Sequence, residues 1–383
     1  MYRRARLRPP SIIHNPMALV KKTALRVRAG RNAMSQKSFA CSWLAGLVRS
    51  GSNSCAVTFA LIFIWSCLFA THASAEKLVI AEGAHVIGYL AVYIAKDEGY
   101  FTQEGLDVDI VPTRGSAQAV AAIIGGGADV ALATVSDVAN AVSQGRNLKV
   151  IAGITNQPQM MLTVSTEFAK KHGITADSPL DQRVKALKGG TFAVSAPGSM
   201  TDDVMRTLLT MGGFSPDRDA QIMALGGAGS EMLGALARNS IDGFVLSPPA
   251  GNQAEADGKG TILVNLMSGE IPKYRDMMFQ AITSTPATIA AKKDILIKFT
   301  RAIARAQKLM TTDKESALAL GAKAFPNIDP AVFKSAFNIA YPSFSKDPIV
   351  PLPGVQKALD FTPTKEKVSA DQIVDNSIAK AAL

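Results

Sequence analysis

The chain has 383 residues, with 41 Lys and Arg against 31 Asp and Glu and a formal net charge of +10. Eleven of the basic residues and none of the acidic ones fall in residues 1–75, so the rest of the chain carries 30 against 31 and is nearly neutral. Nucleic-acid binding thereby loses its electrostatic footprint, and because Cys41, Cys55 and Cys67 all lie in the same leader, disulfides and thiol chemistry are excluded from the remainder.

Residues 56–70, AVTFALIFIWSCLFA, form an uncharged apolar run, shorter than the ~20 residues of a comfortable membrane span. Ala73-Ser74-Ala75 follows as an A-x-A cleavage signal. The leader therefore reads as a secretory signal peptide cut after Ala75, which predicts a periplasmic protein starting at Glu76. Its basic stretch is too long for an n-region, so translation is expected to start at Met34, which leaves residues 1–33 outside the product, or at Met17. The part beyond residue 75 exceeds the ~100–200 residues usual for one domain, so two are expected.

Taken in order, residues 77–82 read as a strand running into Gly83 to Gly88, followed by a helical pattern through Tyr89, Val92 and Tyr93 to Gly99. Val108-Asp109-Ile110-Val111 alternates like a half-buried strand. Arg114-Gly115-Ser116 precedes a second helix, residues 129–133 form a third strand ending in Thr134-Val135-Ser136-Asp137, and residues 148–155 form a fourth. Such a β-α-β-α-β-α-β order implies parallel strands with the loops after them gathered at one edge. Residues 170–188 read as a charged connection. Phe192 and Val194 then sit in a short strand between Gly189-Gly190 and Pro197-Gly198. Ser199 with Asp202 supplies a capping pattern, and Val204, Leu208 and Met211 recur at helical spacing until Gly212-Gly213. Residues 220–225 and 241–246 follow as strands, and residues 261–266 and 278–282 as strands leading back out. Residues 292–383 are predicted to be mostly helical, with Leu296, Phe299, Ile303 and Met310 as an apolar stripe.

Gly99, Phe101, Asp129 and Gly145 recur 113 residues later as Gly212, Phe214, Asp242 and Gly258. The same offset lays residues 83–88 on 196–201, residues 114–116 on 227–229, and residues 134–136 on 247–249. The expectation is an α/β protein of two doubly wound lobes with a ligand cleft between them. Lobe 1 is predicted to comprise residues 76–157 and 275–383, and lobe 2 residues 158–274.

No catalytic set emerges. Beyond residue 75 the only histidines are His85 and His172, and neither a G-x-S-x-G elbow nor a phosphate-binding G-x-x-x-x-G-K-[ST] is present. No metal or cofactor is expected. The matched loops instead offer backbone N–H groups at Ser199, Met200 and Thr201, where a helix start favours an anion, and hydroxyls at Thr134, Ser136 and Ser247. Arg114 either supplies a countercharge or is a solvated loop arginine. His85 and Tyr89 either face the ligand or pack the first helix, and Asn156 either lines the cleft or satisfies hinge backbone. Asp202 and Asp203 oppose an anion unless they point to solvent. A small anion or a compact polar heterocycle, bound one per chain by a monomer, is therefore expected.

Gly99-Tyr100-Phe101 with Glu104 to Val108, Gly126-Gly127-Ala128-Asp129-Val130, Leu187 to Gly190, Pro197-Gly198-Ser199 and Leu225-Gly226-Gly227 resemble the nitrate/sulfonate/taurine and thiamine-pyrimidine-precursor class of periplasmic binding proteins over about residues 77–360. The resemblance implies a type II two-lobed binding protein that closes over a small molecule and hands it to the permease and ATPase of an ABC importer. It also implies ligand contacts around His85 and Tyr89, at Thr134 to Ser136 and at Ser199 to Thr201. An enzyme on the same fold and a periplasmic sensor subunit are the alternatives. The cysteine-rich motif of the pyrimidine-synthesising branch is absent.

Overall fold

A computed structural model describes residues 75–362 and 364–383. The leader, with its apolar run and most of its cleavage signal, lies outside the described residues. Among the described residues, ten strands build two sheets. In chain order they are β1 (Glu76–Glu82), β2 (Leu106–Pro112), β3 (Val130–Thr134), β4 (Lys149–Gly153), β5 (Met161–Ser165), β6 (Thr191–Val194), β7 (Gln221–Ala224), β8 (Gly243–Leu246), β9 (Gly260–Asn265) and β10 (Gln280–Ser284). The first sheet has the order β2-β1-β3-β10-β4 and the second β7-β6-β8-β5-β9.

The helices that bear on the site are α1 (Leu90–Asp97), α2 (Ser116–Ile124), α3 (Val135–Ser143), α4 (Met200–Met211), α5 (Gly229–Ala237), α6 (Ala250–Ala256), α7 (Lys293–Thr312), α8 (Lys314–Lys323) and α9 (Pro330–Ala340). The 113-residue repeat is visible in three dimensions. β1 to β4 correspond to β6 to β9 in sheet position, and α2 and α5 begin and end 113 residues apart.

Two expectations need correcting. β3 and β4 are not neighbours: β10 lies between them and pairs antiparallel with both. β5 fills the same slot in the second sheet, antiparallel to β8 and β9. Each sheet therefore takes one strand from chain that has just crossed between the sheets, which forces that strand to run against its neighbours. Second, β9 does not lead out of its sheet but forms its edge, so only β10 makes the return. The stretch after Pro158, to which the sequence assigns no element, is also a strand. Met161-Leu162-Thr163-Val164-Ser165 is buried throughout, the pattern of a strand covered on both faces.

The central strands carry the core: Leu78, Ile80, Val130, Leu132, Phe192, Phe244 and Val245 are fully buried. The predicted helical stripe is also present. Leu296, Phe299, Ile303 and Met310 of α7 are at most 1% exposed, and Phe299 stacks on Phe101 at 5.3 Å. Each such side chain is worth about 1.5–3 kcal/mol of burial, so α7 is held to the first sheet by packing. Asp329 caps α9 by accepting from the N–H groups of Ala331 (2.8 Å) and Val332 (3.3 Å), with Pro330 at the first helical position, where a missing N–H costs nothing. α9 reaches the second sheet's side, where Asn252 Nδ2 of α6 donates to Ser335 Oγ at 3.2 Å.

Candidate functional site

The loops after β1, β2 and β3 meet at one edge of the first sheet. Gly83 is required there, because a Cβ would lie 2.7 Å from Ser116 Cα and 3.0 Å from Leu132 O. Thr113 Oγ1 donates to Glu82 O and to Gly115 O, both at 2.9 Å, and Ser116 Oγ accepts from the Thr134 N–H at 2.8 Å. Thr134 caps α3: its Oγ1 accepts from the Asp137 N–H at 3.2 Å, donates to Asp137 Oδ2 at 2.7 Å and lies 3.1 Å from Ser136 Oγ. Thr134, Ser136 and the start of α2 thus form one polar rim, beside which Arg114 is exposed.

Tyr89 and His85 are placed differently. Tyr89 is 2% exposed and packed into the core of the first sheet. Burial, then the nearby Asp137 and Glu82, push its ionisation far above the ordinary phenol range, so it stays a neutral phenol. Gln280, itself buried, accepts from Thr155 Oγ1 at 3.3 Å and lies directly beneath Gly88, which makes it the floor of the first loop. His85 is half exposed and tied to Glu82 and Ala324. Asn156 sits at the crossover with an exposed side chain, its N–H donating to Ser343 O at 2.8 Å.

On the second sheet, Ser199 caps α4. A triangle of hydroxyls stands at that helix start: Ser195 to Ser199 at 3.0 Å, Ser195 to Thr201 at 2.8 Å and Ser199 to Thr201 at 2.8 Å. Thr201 Oγ1 also accepts from the Ser195 N–H at 2.8 Å, and Met200 is half-buried beside it. The two acids do not point to solvent. Asp202 is 4% exposed, accepts from the Gly198 N–H at 2.8 Å and pairs with Arg206 Nε at 2.9 Å. Asp203 accepts from Lys273 Nζ with both oxygens at 3.0 Å and from the Tyr274 hydroxyl at 3.0 Å. Both carboxylates are therefore neutralised, which leaves the positive end of the α4 dipole less opposed than the sequence suggests. Ser247 is buried, its Oγ 3.7 Å from the Met160 sulfur.

The structure thus brings Thr134, Ser136 and Arg114 to one sheet edge and Ser199, Met200 and Thr201 to the matching edge of the other; Ser136 and Thr201 are buried there, as are Tyr89 and Ser247. Ser195, Gln280 and Glu82 were not among the residues expected at the site. For Glu82 the signal was a lone acid ending the apolar strand KLVIAE.

Two surface pockets lie elsewhere. One of about 650 Å3 is lined by Ser165, Lys170, Lys171 and Lys259 among others. Ser165 pairs with Gly260 at the start of β9, which puts this pocket at the end of the sheet opposite Ser199. The other, about 430 Å3, runs along the outer edge by Met223 and Arg238. Among the described residues no cluster of three or more His, Cys, Asp or Glu could hold a metal.

Two five-stranded sheets of this order, joined by two crossovers and each carrying one reversed strand, define the periplasmic ABC-type substrate-binding protein fold. Solved structures share it: the alkanesulfonate-binding protein SsuA from Xanthomonas axonopodis pv. citri, bound to MOPS, is 17% identical with a TM-score of 0.61, covering 78% of this chain and 98% of that one. The periplasmic nitrate-binding protein NrtA from Synechocystis is 14% identical with a TM-score of 0.65, covering 80% and 88%. In sequence, the Bacillus subtilis protein YtlA, named a binding protein, is 26% identical over 279 residues, 72% of this chain and 79% of its own. The NMT1-like family matches residues 85–323, and the chain belongs to that family.

Proposed function

We propose that the protein is an exported solute-binding protein, not an enzyme, that takes a small anionic or polar organic molecule between its two sheets and delivers it to the permease and ATPase of an ABC importer. The observation that carries this reading is the pairing of polar loops. The ends of β1, β2 and β3 and the end of β6 present hydroxyls and helix starts, and Asp202 and Asp203 are tied away by Arg206 and Lys273. The sulfonate and nitrate named for the fold neighbours are compatible with such a site, in which helix-start N–H groups and hydroxyls replace hydration. Lobe 1 would comprise residues 76–157 and 275–383 and lobe 2 residues 158–274, closing over one ligand per monomer. Ser199, Met200, Thr201, Thr134, Ser136 and Arg114 would contact the ligand directly. His85, Tyr89, Asn156 and Ser247 would shape the loops around it. Among the described residues no helix is long and apolar enough to cross a membrane, and the periplasmic placement rests on the signal sequence.

A thermal-shift screen of nitrate, alkanesulfonates, taurine, small carboxylates and aminopyrimidines tests the reading. A ligand at 100 times its Kd should stabilise the fold by about 2.7 kcal/mol, and Thr134→Val and Ser199→Pro should each weaken it. Turnover of any of these compounds, or unchanged affinity in both variants, would refute the assignment.

A further inference from the structure

His85 lies in the first of these loops, three residues beyond Glu82. Its ring sits between Tyr93 of α1 and Phe325, with centroid separations of 4.6 and 4.7 Å. Nδ1 is 3.3 Å from Glu82 Oε1, and Nε2 is 2.9 Å from the carbonyl oxygen of Ala324, in the turn between α8 and α9. Both partners accept. A backbone carbonyl has no proton to give, and Glu82 Oε1 already takes the Tyr93 hydroxyl. A neutral imidazole carries one N–H and an imidazolium two, so both bonds form only when the ring is charged.

We propose that His85 is a protonation-dependent latch: as an imidazolium it ties the loop at residues 83–86 to the turn between α8 and α9, and as a neutral ring it releases that turn. The release falls on Ala324, because the remaining proton makes its stronger bond to a carboxylate, leaving a lone pair facing the carbonyl.

The surroundings support this. Glu82 is a buried carboxylate with a side chain 5% exposed, so water compensates its charge poorly and the imidazolium does so in its place. The other ionisable groups facing the pair are Tyr93 and Tyr89, both buried phenols held neutral chiefly by desolvation. Lys323, next to Ala324, is engaged by Glu98 at 3.3 Å. Phe325 and Phe333 complete the packing with apolar rings. The latch has a path to the second sheet, since the turn it holds leads into α9, whose Ser335 bonds Asn252. It stands on the described geometry alone and does not require the ligand reading above.

The test is made on the purified full chain without any ligand. Histidine-labelled protein is titrated by 15N NMR, with the His85 signals assigned by their loss in His85→Gln and His172 as a control for chain-wide effects. Both His85 ring nitrogens should be protonated at pH 6. Hydrogen exchange, corrected for intrinsic rates, should become several-fold faster in residues 324–330 between pH 6 and pH 8.5 in the wild type. In His85→Gln it should not depend on pH, since one amide cannot donate to both acceptors. A singly protonated His85 at pH 6, or wild-type exchange that ignores pH, overturns the latch. If His85→Gln does not fold, the wild-type titration and exchange decide between the same two outcomes.

Discussion

Asp203 and Lys273 show at the scale of single residues how a helix start can carry two acids and still suit an anion. Lys273 comes from the crossover, 70 positions away, and with Tyr274 it turns the carboxylate back toward Thr207, whose Oγ1 lies 2.8 Å from both partners. Asp203→Ala strips Lys273 and Tyr274 of their shared carboxylate and leaves them only Thr207. Hydrogen bonds to charged groups contribute about 1.5–3 kcal/mol, and a loss of that order is expected in urea melts. His85 supplies the pH dependence. The bond to Glu82 raises its folded-state pKa above 6.5, with burial acting against. A raised folded value means that the stabilisation is full below about 6.5, the unfolded pKa, and is lost as pH rises through the folded one. The stability gap between wild type and His85→Gln should therefore narrow from pH 6 to pH 8.5 in denaturation series. A gap that widens over this range would contradict the assignment.

Among the elements, the end of β1 and the start of α2 approach each other backbone to backbone. Gly83 faces backbone atoms of Ser116 and Leu132, which cannot rotate away as a side chain could. Gly83→Ala is expected to cost about 1–3 kcal/mol, the usual range for overpacking, measured as a lowered urea midpoint with an unchanged slope. The elements also show where reading the sequence works and where it stops. α2, α4 and α5 are legible because a glycine or a Ser-x-x-Asp pattern marks each start and periodic apolar residues follow. β5 escapes because Met161-Leu162-Thr163-Val164-Ser165 is too short a run, with Thr163 and Ser165 polar in sequence yet buried in the fold, for its pattern to separate a fully buried strand from a connection. β9 and β10 are recognisable as strands, but their sheets are not, since strand pairing is decided by residues far away in the chain.

For the molecule as a whole, the two sheets are not independent. One continuous apolar cluster includes Ala131 and Ala281 of the first sheet and Leu162, Val164 and Phe192 of the second. Two crossovers, residues 154–160 and 266–279, also join them. Unfolding should therefore be a single cooperative transition, with calorimetric and van't Hoff enthalpies in agreement. Two resolved transitions would show that each sheet carries its own core.

The local order of the strands other than β5, of the loops and of the helix starts, the 113-residue duplication and the polar character of the loops were legible in the sequence, because caps, glycines and apolar periods act over a few residues. The resemblance carried by motifs such as Gly-Tyr-Phe and Pro-Gly-Ser extended that reading to the two-lobed fold. What only the tertiary structure decided is which strand fills the fourth slot of each sheet, where Asp203 finds its cation, and that His85 is held between Glu82 and Ala324. These depend on partners far away in the chain, such as Lys273, 70 residues from Asp203, and Ala324, 239 residues from His85. Side-chain charge and loop composition are written locally, but whether a carboxylate repels a ligand or a histidine bridges two elements depends on what folding places beside it.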